Sequence, residues 1–459
     1  MTKKRIRRRL ATIDPALVLL VLLTAGLWIA GGASRADAIG QAVVRGLAAI
    51  TMLIAISFFR FSPTRPALPV LGLLGGAIAL VLLQLVPLPP GLWQSLPGRA
   101  AFVDRLGDEN AVWRPLSLVP DATVNAAGAL IVPLSVAVVI LALRPSERRW
   151  LSTLLLALIA ASTLVGLIEF SGQAVANPFV SPADPVAGTF ANRNHFALFL
   201  ALGCLITPVW ALALHQKAVW RDASALLLVP LIVLGLLGSG SRAGLVLGVV
   251  GLIMGTLIAR AGLAARTRRA RRAILAGIAA GIILLGAFVL IIFVSGRADA
   301  INRVLQLGAE NDLRWRVTGD LIALVQHYFP AGTGFGSFDP IFRQQERFEL
   351  LQLTYLNHAH NDFIEVLLDG GLPASLLMAA AFIWWMIATW TVWRRGPTQE
   401  VLQGRLGSAI ILLIALASAV DYPARTPLMM ATLVLASLLL CWGASMSGTA
   451  PRQTARIDA

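Results

Sequence analysis

HFALFLALGCLITPVWALAL, residues 195–214, contains no Asp, Glu, Lys or Arg. A helix of this length spans about 30 Å, which is the thickness of the hydrocarbon core of a bilayer. A soluble domain seldom carries so long an apolar run, because its surface helices keep one polar face. The stretch therefore predicts a transmembrane helix.

The rest of the chain has the same character. Of its 459 residues, 57% are apolar and only 13% are charged, which is too apolar a composition for a soluble protein. We predict an all-α polytopic membrane protein with about twelve transmembrane helices. The predicted spans cover residues 15–31, 43–59, 68–87, 124–143, 151–169, 195–214, 223–238, 243–259, 273–295, 373–393, 406–420 and 427–444.

The charges are distributed unevenly between the two sides of these spans. The net charge is +15, and Lys and Arg concentrate on one side, as in MTKKRIRRR (1–9) and RAGLAARTRRARR (260–272), whereas most Asp and Glu fall on the other. Cytoplasmic loops carry such an excess of Lys and Arg. The pattern predicts that both termini are cytoplasmic, and it explains the charge through membrane lipids, with no nucleic-acid partner.

The N-terminus allows a second interpretation. A basic region, an apolar run and ADA at residues 36–38 resemble a signal peptide with its cleavage site. We favour a first span that is retained, because removing it would disturb the alternation of basic and acidic segments.

Polar residues outside the spans concentrate in three segments of the outer side, and the last of these, between spans nine and ten, is the longest. We predict that this long loop carries the catalytic residues. The chain then divides into an N-terminal transmembrane bundle (1–170), a group of core spans (171–295), the long outer loop (296–372) and the C-terminal spans (373–459).

The middle of the long loop predicts an amphipathic helix, residues 314–329, that lies on the membrane surface or caps the bundle. Arg314 lies seven residues before Leu321 and so shares its apolar face. Arg316 points the other way and has an acidic residue four positions later, as in a solvent-facing ion pair. Arg314 is therefore the stronger functional candidate, with Arg316 as the second.

AGTGFGSF, residues 331–338, follows this helix. Its glycines suggest a phosphate-binding loop, but no strand precedes it and no Lys follows in the required position. We predict a tight turn between the surface helix and the next segment.

LNHAHNDFIEV, residues 356–366, holds two of the five histidines of the chain. Asp362 and the glutamate three residues later resemble a capping box, so we predict a helix that begins at Asn361 or Asp362, with His358 and His360 just before it. A zinc site is not predicted, because a third ligand is missing nearby. Structural histidines held by loop backbone are one alternative. A general base is favoured, since histidine titrates near neutral pH.

Two further arginines lie at the predicted outer ends of spans. GTFANRNHFALFL (188–200) places Arg193 at the mouth of the sixth span, and GSGSRAGL (238–245) places Arg242 at the mouth of the eighth. Arginine at membrane depth is costly unless it is paired, so both are functional candidates. The alternatives are lipid contact for Arg193 and a turn anchor for Arg242.

GTFANRNHFALFLALG, GSGSRAGLVLG, DLRWRVTGDL and NHAHNDFIEVLLDGGLP occur in an order and spacing that resemble the O-antigen ligase and O-antigen polymerase superfamily, most clearly over residues 185–375. The resemblance implies an inverting glycosyltransferase with a helical, GT-C-like membrane fold. It implies action on the periplasmic side of the bacterial inner membrane without metal or cofactor. The donor would be a glycan on undecaprenyl pyrophosphate, and the acceptor a growing glycan, a lipid A core or a protein.

The resemblance also implies roles for residues. His360 would be the base that activates the acceptor hydroxyl, and His358 would orient it or touch substrate sugars. Arg193, Arg242 and Arg314 would hold the pyrophosphate, although many relatives have a different residue at the position of Arg193. Arg316, Asn361 and Asp362 complete the predicted substrate-binding set.

A polysaccharide transporter or a flippase for lipid-linked oligosaccharide is the alternative function. Either would need polar residues along its spans. Apart from Arg45 and Glu169 near span ends, the predicted spans are nearly free of charge. The charged candidates gather on one face instead, which favours the transferase.

Overall fold

The structure is a computed structural model. It describes residues 14–59, 65–106, 112–180, 186–213, 219–264, 313–348 and 356–445, together with four isolated positions between 268 and 276.

Helices dominate this part of the chain. The α-helices are α1 (Pro15–Ala30), α2 (Ile39–Phe58), α3 (Leu68–Leu83), α4 (Pro90–Ser95), α5 (Ala100–Leu106), α6 (Pro120–Ala129), α7 (Ile131–Ala142), α8 (Leu151–Phe170), α9 (Arg193–Ala211), α10 (Val219–Ser239), α11 (Arg242–Ala264), α12 (Leu313–Tyr328), α13 (Phe338–Gln345), α14 (Asp362–Arg394), α15 (Gln399–Ser418) and α16 (Pro427–Ser445). Three short 3₁₀ turns cover Arg65–Ala67, Arg148–Trp150 and Pro423–Arg425. In the described residues the only sheet joins two antiparallel two-residue strands, β1 (Pro87–Leu88) and β2 (Arg114–Pro115).

Ten helical segments of the described chain are long and apolar enough to cross a membrane, and α1 is a shorter apolar helix. These segments coincide with eleven of the twelve predicted spans, and they confirm the all-α membrane fold class. The ninth predicted span, 273–295, lies outside the described residues except for Ala276. α14 is bent at Gly371, whose φ is +56°, so the predicted tenth span begins where this helix changes direction.

α9 is the centre of the membrane bundle. Nearly all of its side chains are buried, and it packs against α8, α10, α11 and α15. α11 approaches it closely because glycine faces the contact: a Cβ on Gly251 would lie 2.7 Å from the carbonyl oxygen of Ala201. The stretch that predicts a membrane span thus forms the core of the bundle.

The contacts between helix ends follow the predicted alternation of spans. At one end, the Leu428 N–H donates to the Gly31 carbonyl at 3.1 Å. At the other end, the Arg144 N–H donates to the Asp14 carboxylate at 3.0 Å. Segments predicted to lie on the same side therefore meet, while the side of the membrane that each end faces stays a prediction.

A second, smaller core lies next to the first of these ends. The amphipathic helix predicted over 314–329 is confirmed as α12, and its apolar face is buried against α13 and the start of α14. We call this unit the cap and define it as residues 87–106, 112–119, 313–348 and 356–368. Its buried side chains include Val317, Leu321, Leu324, Tyr328, Phe338, Ile341, Phe342 and Leu368.

The loop from α12 to α13 is the tight turn that the sequence predicts. Gly332, Gly334 and Gly336 have φ of +79°, +105° and +84°, a region that side chains disfavour. The Gly334 N–H donates to the Asp369 carbonyl at 2.9 Å, and the Gly336 N–H donates to the Asp369 carboxylate at 3.1 Å. These amides already bind protein groups, which favours the turn over a phosphate-binding loop.

Candidate active site

The histidine motif precedes α14, as predicted. Asn361 is the N-cap, and its side-chain oxygen accepts two N–H groups of the first turn at 3.0 and 3.1 Å. Asp362 is therefore not the capping residue of the predicted capping box. The carboxylate of Glu365 reaches back instead to the N–H of Ala359, at 2.8 Å. This cap fixes the backbone on which both histidines sit.

The backbone of His360 is strained. Among the described residues it is the one non-glycine residue with positive φ, at +50°. Such a conformation costs of order 1–3 kcal/mol and persists where the surroundings impose it, often at functional sites. The contacts around His360 therefore hold its side chain in one position despite this backbone energy.

Asp421, in the connection between α15 and α16, holds His360 in place. His360 Nδ1 lies 3.2 Å from Asp421 Oδ1, the Tyr422 N–H donates to the same oxygen at 3.0 Å, and Asn194 Nδ2 donates to the other oxygen at 2.7 Å. Burial alone would raise the pKa of Asp421, but the facing His195 and His360 bring it well below its ordinary 3.8. The carboxylate is therefore ionised at neutral pH.

An ionised carboxylate can only accept hydrogen bonds, so His360 Nδ1 carries the hydrogen. The neutral ring then presents Nε2 as a proton acceptor. The side chain of His360 is 18% exposed, which leaves room for a substrate hydroxyl to approach. This is the arrangement of an oriented general base, with the carboxylate stabilising the imidazolium that forms.

His358 belongs to a separate buried network. Its Nδ1 lies 2.9 Å from Glu365 Oε1, and Arg425 Nη1 lies 3.1 Å from the same oxygen. Arg425 Nε also donates to Asp362 at 3.2 Å, and Ser418 donates to that carboxylate at 2.8 Å. Glu365 therefore orients His358. The contacts of Asp362, which is 7% exposed, favour a structural role over the predicted substrate contact.

Arg193 and Arg242 are the first residues of α9 and α11, as predicted, and both are exposed. The Arg193 guanidinium lies beside the turn that leads to α11, since a Cβ on Gly240 would lie 3.9 Å from Arg193 Nη1. Ser241 donates to the Asn194 side chain at 2.8 Å. The N-termini of α9 and α11, each with an arginine, thus adjoin Asn194, which binds Asp421. Helix N-termini and arginine side chains both attract anions.

Comparison with known proteins bears on the class of this site. Residues 223–379 match the O-antigen ligase family. The matched region runs from α10 into α14 and includes Arg242, α12 and both histidines of the motif. It confirms the resemblance that the motifs predict, and it supports a glycosyltransferase of the O-antigen ligase or polymerase type. Arg193 and Asp421 lie outside the match. No curated protein matches the chain.

Tyr422 holds the histidines of this O-antigen ligase-like site together. Its ring centroid lies 4.4 Å from that of His358, 4.9 Å from that of His360 and 4.9 Å from that of His195. Its hydroxyl lies 3.4 Å from the side-chain oxygen of Asn357. The Tyr422 ring therefore fixes the spacing between His358 on one side and the group of His360, Asp421 and His195 on the other.

Sequence reasoning missed the connection between α15 and α16, which supplies Asp421, Tyr422 and Arg425. A signal was present: Asp421 and Arg425 are the only charged residues between positions 406 and 451. Charges in a short connection between two apolar spans are functional candidates on the same grounds as Arg193 and Arg242.

Arg314 and Arg316 lie in the first turn of α12, but their side chains are outside the described part of the structure. The helix phase behind the choice of Arg314 is correct, since Val317, Leu321 and Leu324 are buried. The choice itself stays a prediction. In the described residues no group of three His, Cys, Asp or Glu side chains is arranged to hold a metal ion.

Proposed function

We propose that the protein is an inverting glycosyltransferase of the inner membrane that transfers a glycan from undecaprenyl pyrophosphate to an acceptor hydroxyl on the periplasmic side. The acceptor is a lipid A core, a growing polysaccharide or a protein. The observation that carries the proposal is the contact between His360 and Asp421, at 3.2 Å, within a site whose histidine motif lies in the O-antigen ligase match.

The reaction has one proton acceptor and one leaving group. His360 Nε2 takes the proton of the acceptor hydroxyl as the oxygen attacks the anomeric carbon from the face opposite the pyrophosphate. The carbon–oxygen bond to the pyrophosphate breaks, and the leaving group departs with the electron pair. Asp421 stabilises the imidazolium, and a base positioned in this way contributes typically 10²- to 10⁴-fold to the rate.

The departing pyrophosphate develops negative charge, which Arg193 and Arg242 are placed to stabilise. Both begin helices at the end of the bundle that holds His360. Arginine stays charged and forms paired hydrogen bonds to phosphate oxygens, and donors that are already in place need no reorganisation as the charge develops. Arg314 is proposed as a third group from the cap.

The transporter alternative has less support. Arg45 donates to the side-chain oxygens of Asn125 and Gln41 at 2.7 and 3.2 Å. Glu169 accepts the Gly188 N–H at 2.7 Å. Both charged residues that the sequence places in spans thus have local partners near helix ends, which favours a structural role over lining a path.

The test is release of undecaprenyl pyrophosphate from lipid-linked glycan by the purified protein in inner-membrane lipids, with membrane extract as the acceptor source. We expect His360→Gln to lose about 10²- to 10⁴-fold in turnover while it still binds the glycolipid. Arg242→Gln should weaken donor binding.

His327→Gln and Arg343→Gln are the matched controls, since both residues are exposed in the cap, and they should retain wild-type rates. A wild-type protein that binds the glycolipid but releases nothing with any acceptor would overturn the proposal and favour transport.

A further inference from the structure

His195, the third residue of α9, is a buried ionisable group that the proposed reaction does not use. Its side chain is 2% exposed. Its Nε2 is buried, makes no hydrogen bond to the described residues and lies 3.7 Å from Asp421 Oδ1. A buried ring nitrogen without a partner is costly, so the position of this side chain requires an explanation.

The oxygen that His195 faces is the one that holds His360. Asp421 Oδ1 is 3.2 Å from His360 Nδ1 and accepts the Tyr422 N–H at 3.0 Å. The Tyr422 ring also contacts both imidazoles, with interplanar angles of 88° to His195 and 68° to His360. The two histidines therefore contact the same Tyr422 ring and face the same carboxylate oxygen.

We propose that His195 is a positioning residue that acts through Asp421 to set how strongly His360 attracts a proton. The inference rests on the proposed function. Because an ionised carboxylate only accepts hydrogen bonds, the ring hydrogen of His195 lies on Nε2, 3.7 Å from Asp421 Oδ1. At that distance its positive end draws negative charge away from His360 and makes His360 a weaker base. Removing that donor leaves His360 a larger share of the carboxylate charge, beside the Tyr422 N–H and Asn194, so His360 should then hold its proton up to a higher pH.

Other ionisable groups face the site from each element packed around it. On the histidine segment, His358 faces Glu365. In the α15–α16 connection, Arg425 is paired with Asp362 and Glu365, and it lies 3.9 Å from Asp369. At the helix starts, Arg193 and Arg242 are exposed, where solvent and salt screen their charges.

The first measurement needs no substrate. Diethyl pyrocarbonate reacts with neutral imidazole, so its rate at His360, followed by tandem mass spectrometry as pH varies, gives the pH of half-reaction. We expect His195→Phe, which keeps a ring against Tyr422 but has no donor, to raise this pH by about 0.5–1 unit. His195→Gln places an amide near the site of Nε2 and should restore the wild-type value.

Two comparisons decide the inference. It is overturned if His195→Phe leaves the half-reaction pH of His360 unchanged, or if His195→Gln shifts it as much as His195→Phe does. His327→Gln is the control and should shift nothing. If His195→Phe fails to elute as a folded protein, His195→Asn replaces it, because its amide is too short to reach Asp421.

The same variants are then assayed for undecaprenyl pyrophosphate release. The acid limb of the kcat profile should move to higher pH in His195→Phe, with KM for the donor nearly unchanged. A wild-type protein without release activity would overturn the proposed function alone, since the reactivity of His360 reports on His195 and Asp421 in either case.

Discussion

Replacing Asp421 by Asn removes one negative charge from the buried site and leaves the volume of the side chain almost unchanged. The carboxylate accepts hydrogen bonds on both oxygens, from His360 and the Tyr422 N–H on one and from Asn194 on the other. An amide must turn its NH₂ group toward one of these sets of donors, so the substitution changes both the charge and the hydrogen-bond pattern.

The size of the effect follows from these contacts. A hydrogen bond to a charged group contributes about 1.5–3 kcal/mol, and about 1.4 kcal/mol corresponds to tenfold in rate. Losing the charge alone should therefore lower kcat by about 10- to 150-fold. If the amide NH₂ turns toward His360, it donates to Nδ1 and moves the ring hydrogen to Nε2, which disables the base. The loss then approaches the 10⁴-fold limit of general-base catalysis.

The assay is the initial rate of undecaprenyl pyrophosphate release over a range of donor concentrations. We expect the loss in kcat, with donor KM changed by less than about threefold, because Asp421 touches the base and not the donor. If the amide NH₂ turns toward His360, Asp421→Ala should lose less than Asp421→Asn, since Ala cannot force the wrong tautomer. Asp339→Asn, which alters an exposed ion pair with Arg343, is the control. Retention of half the wild-type kcat in Asp421→Asn would refute the assignment of His360 as an Asp-oriented base.

Three further predictions concern stability. Arg425→Met leaves the fully buried Glu365 without its cation, so we expect a loss of about 3–5 kcal/mol, measured as a lower Tm in detergent, with a smaller loss in Arg425→Lys. Gly334→Ala places a Cβ against Ser117 at a φ of +105°, so it should speed proteolysis of the cap relative to Gly319→Ala, which has open space around it. Because the folded pKa of Asp421 lies below its ordinary 3.8, its contribution to stability is full above 3.8 and is lost as pH falls through the folded value. The Tm gap between wild type and Asp421→Asn should therefore narrow in acid, and a constant gap would contradict that pKa direction.

Several parts of the site could be predicted from sequence because their causes are local. The start of α14 follows from Asn361, whose side chain caps the amides of Phe363 and Ile364. The starts of α9 and α11 follow from the turns next to Arg193 and Arg242. The sequence left the capping residue open between Asn361 and Asp362, because Asn and Asp cap helices equally well. The burial of Asp362 had no local signal.

The sequence by itself determined the transmembrane helices, the amphipathic helix α12 and the position of the histidine motif. Each of these depends on residues within a few turns of one another, since a span must be apolar along its length and a surface helix must repeat with a period of 3.6. Only the tertiary structure decided that Asp421 holds His360, 61 residues away, and that His195 faces the same carboxylate from α9. These contacts depend on how separate helices pack, and no pattern along the chain encodes which ends meet.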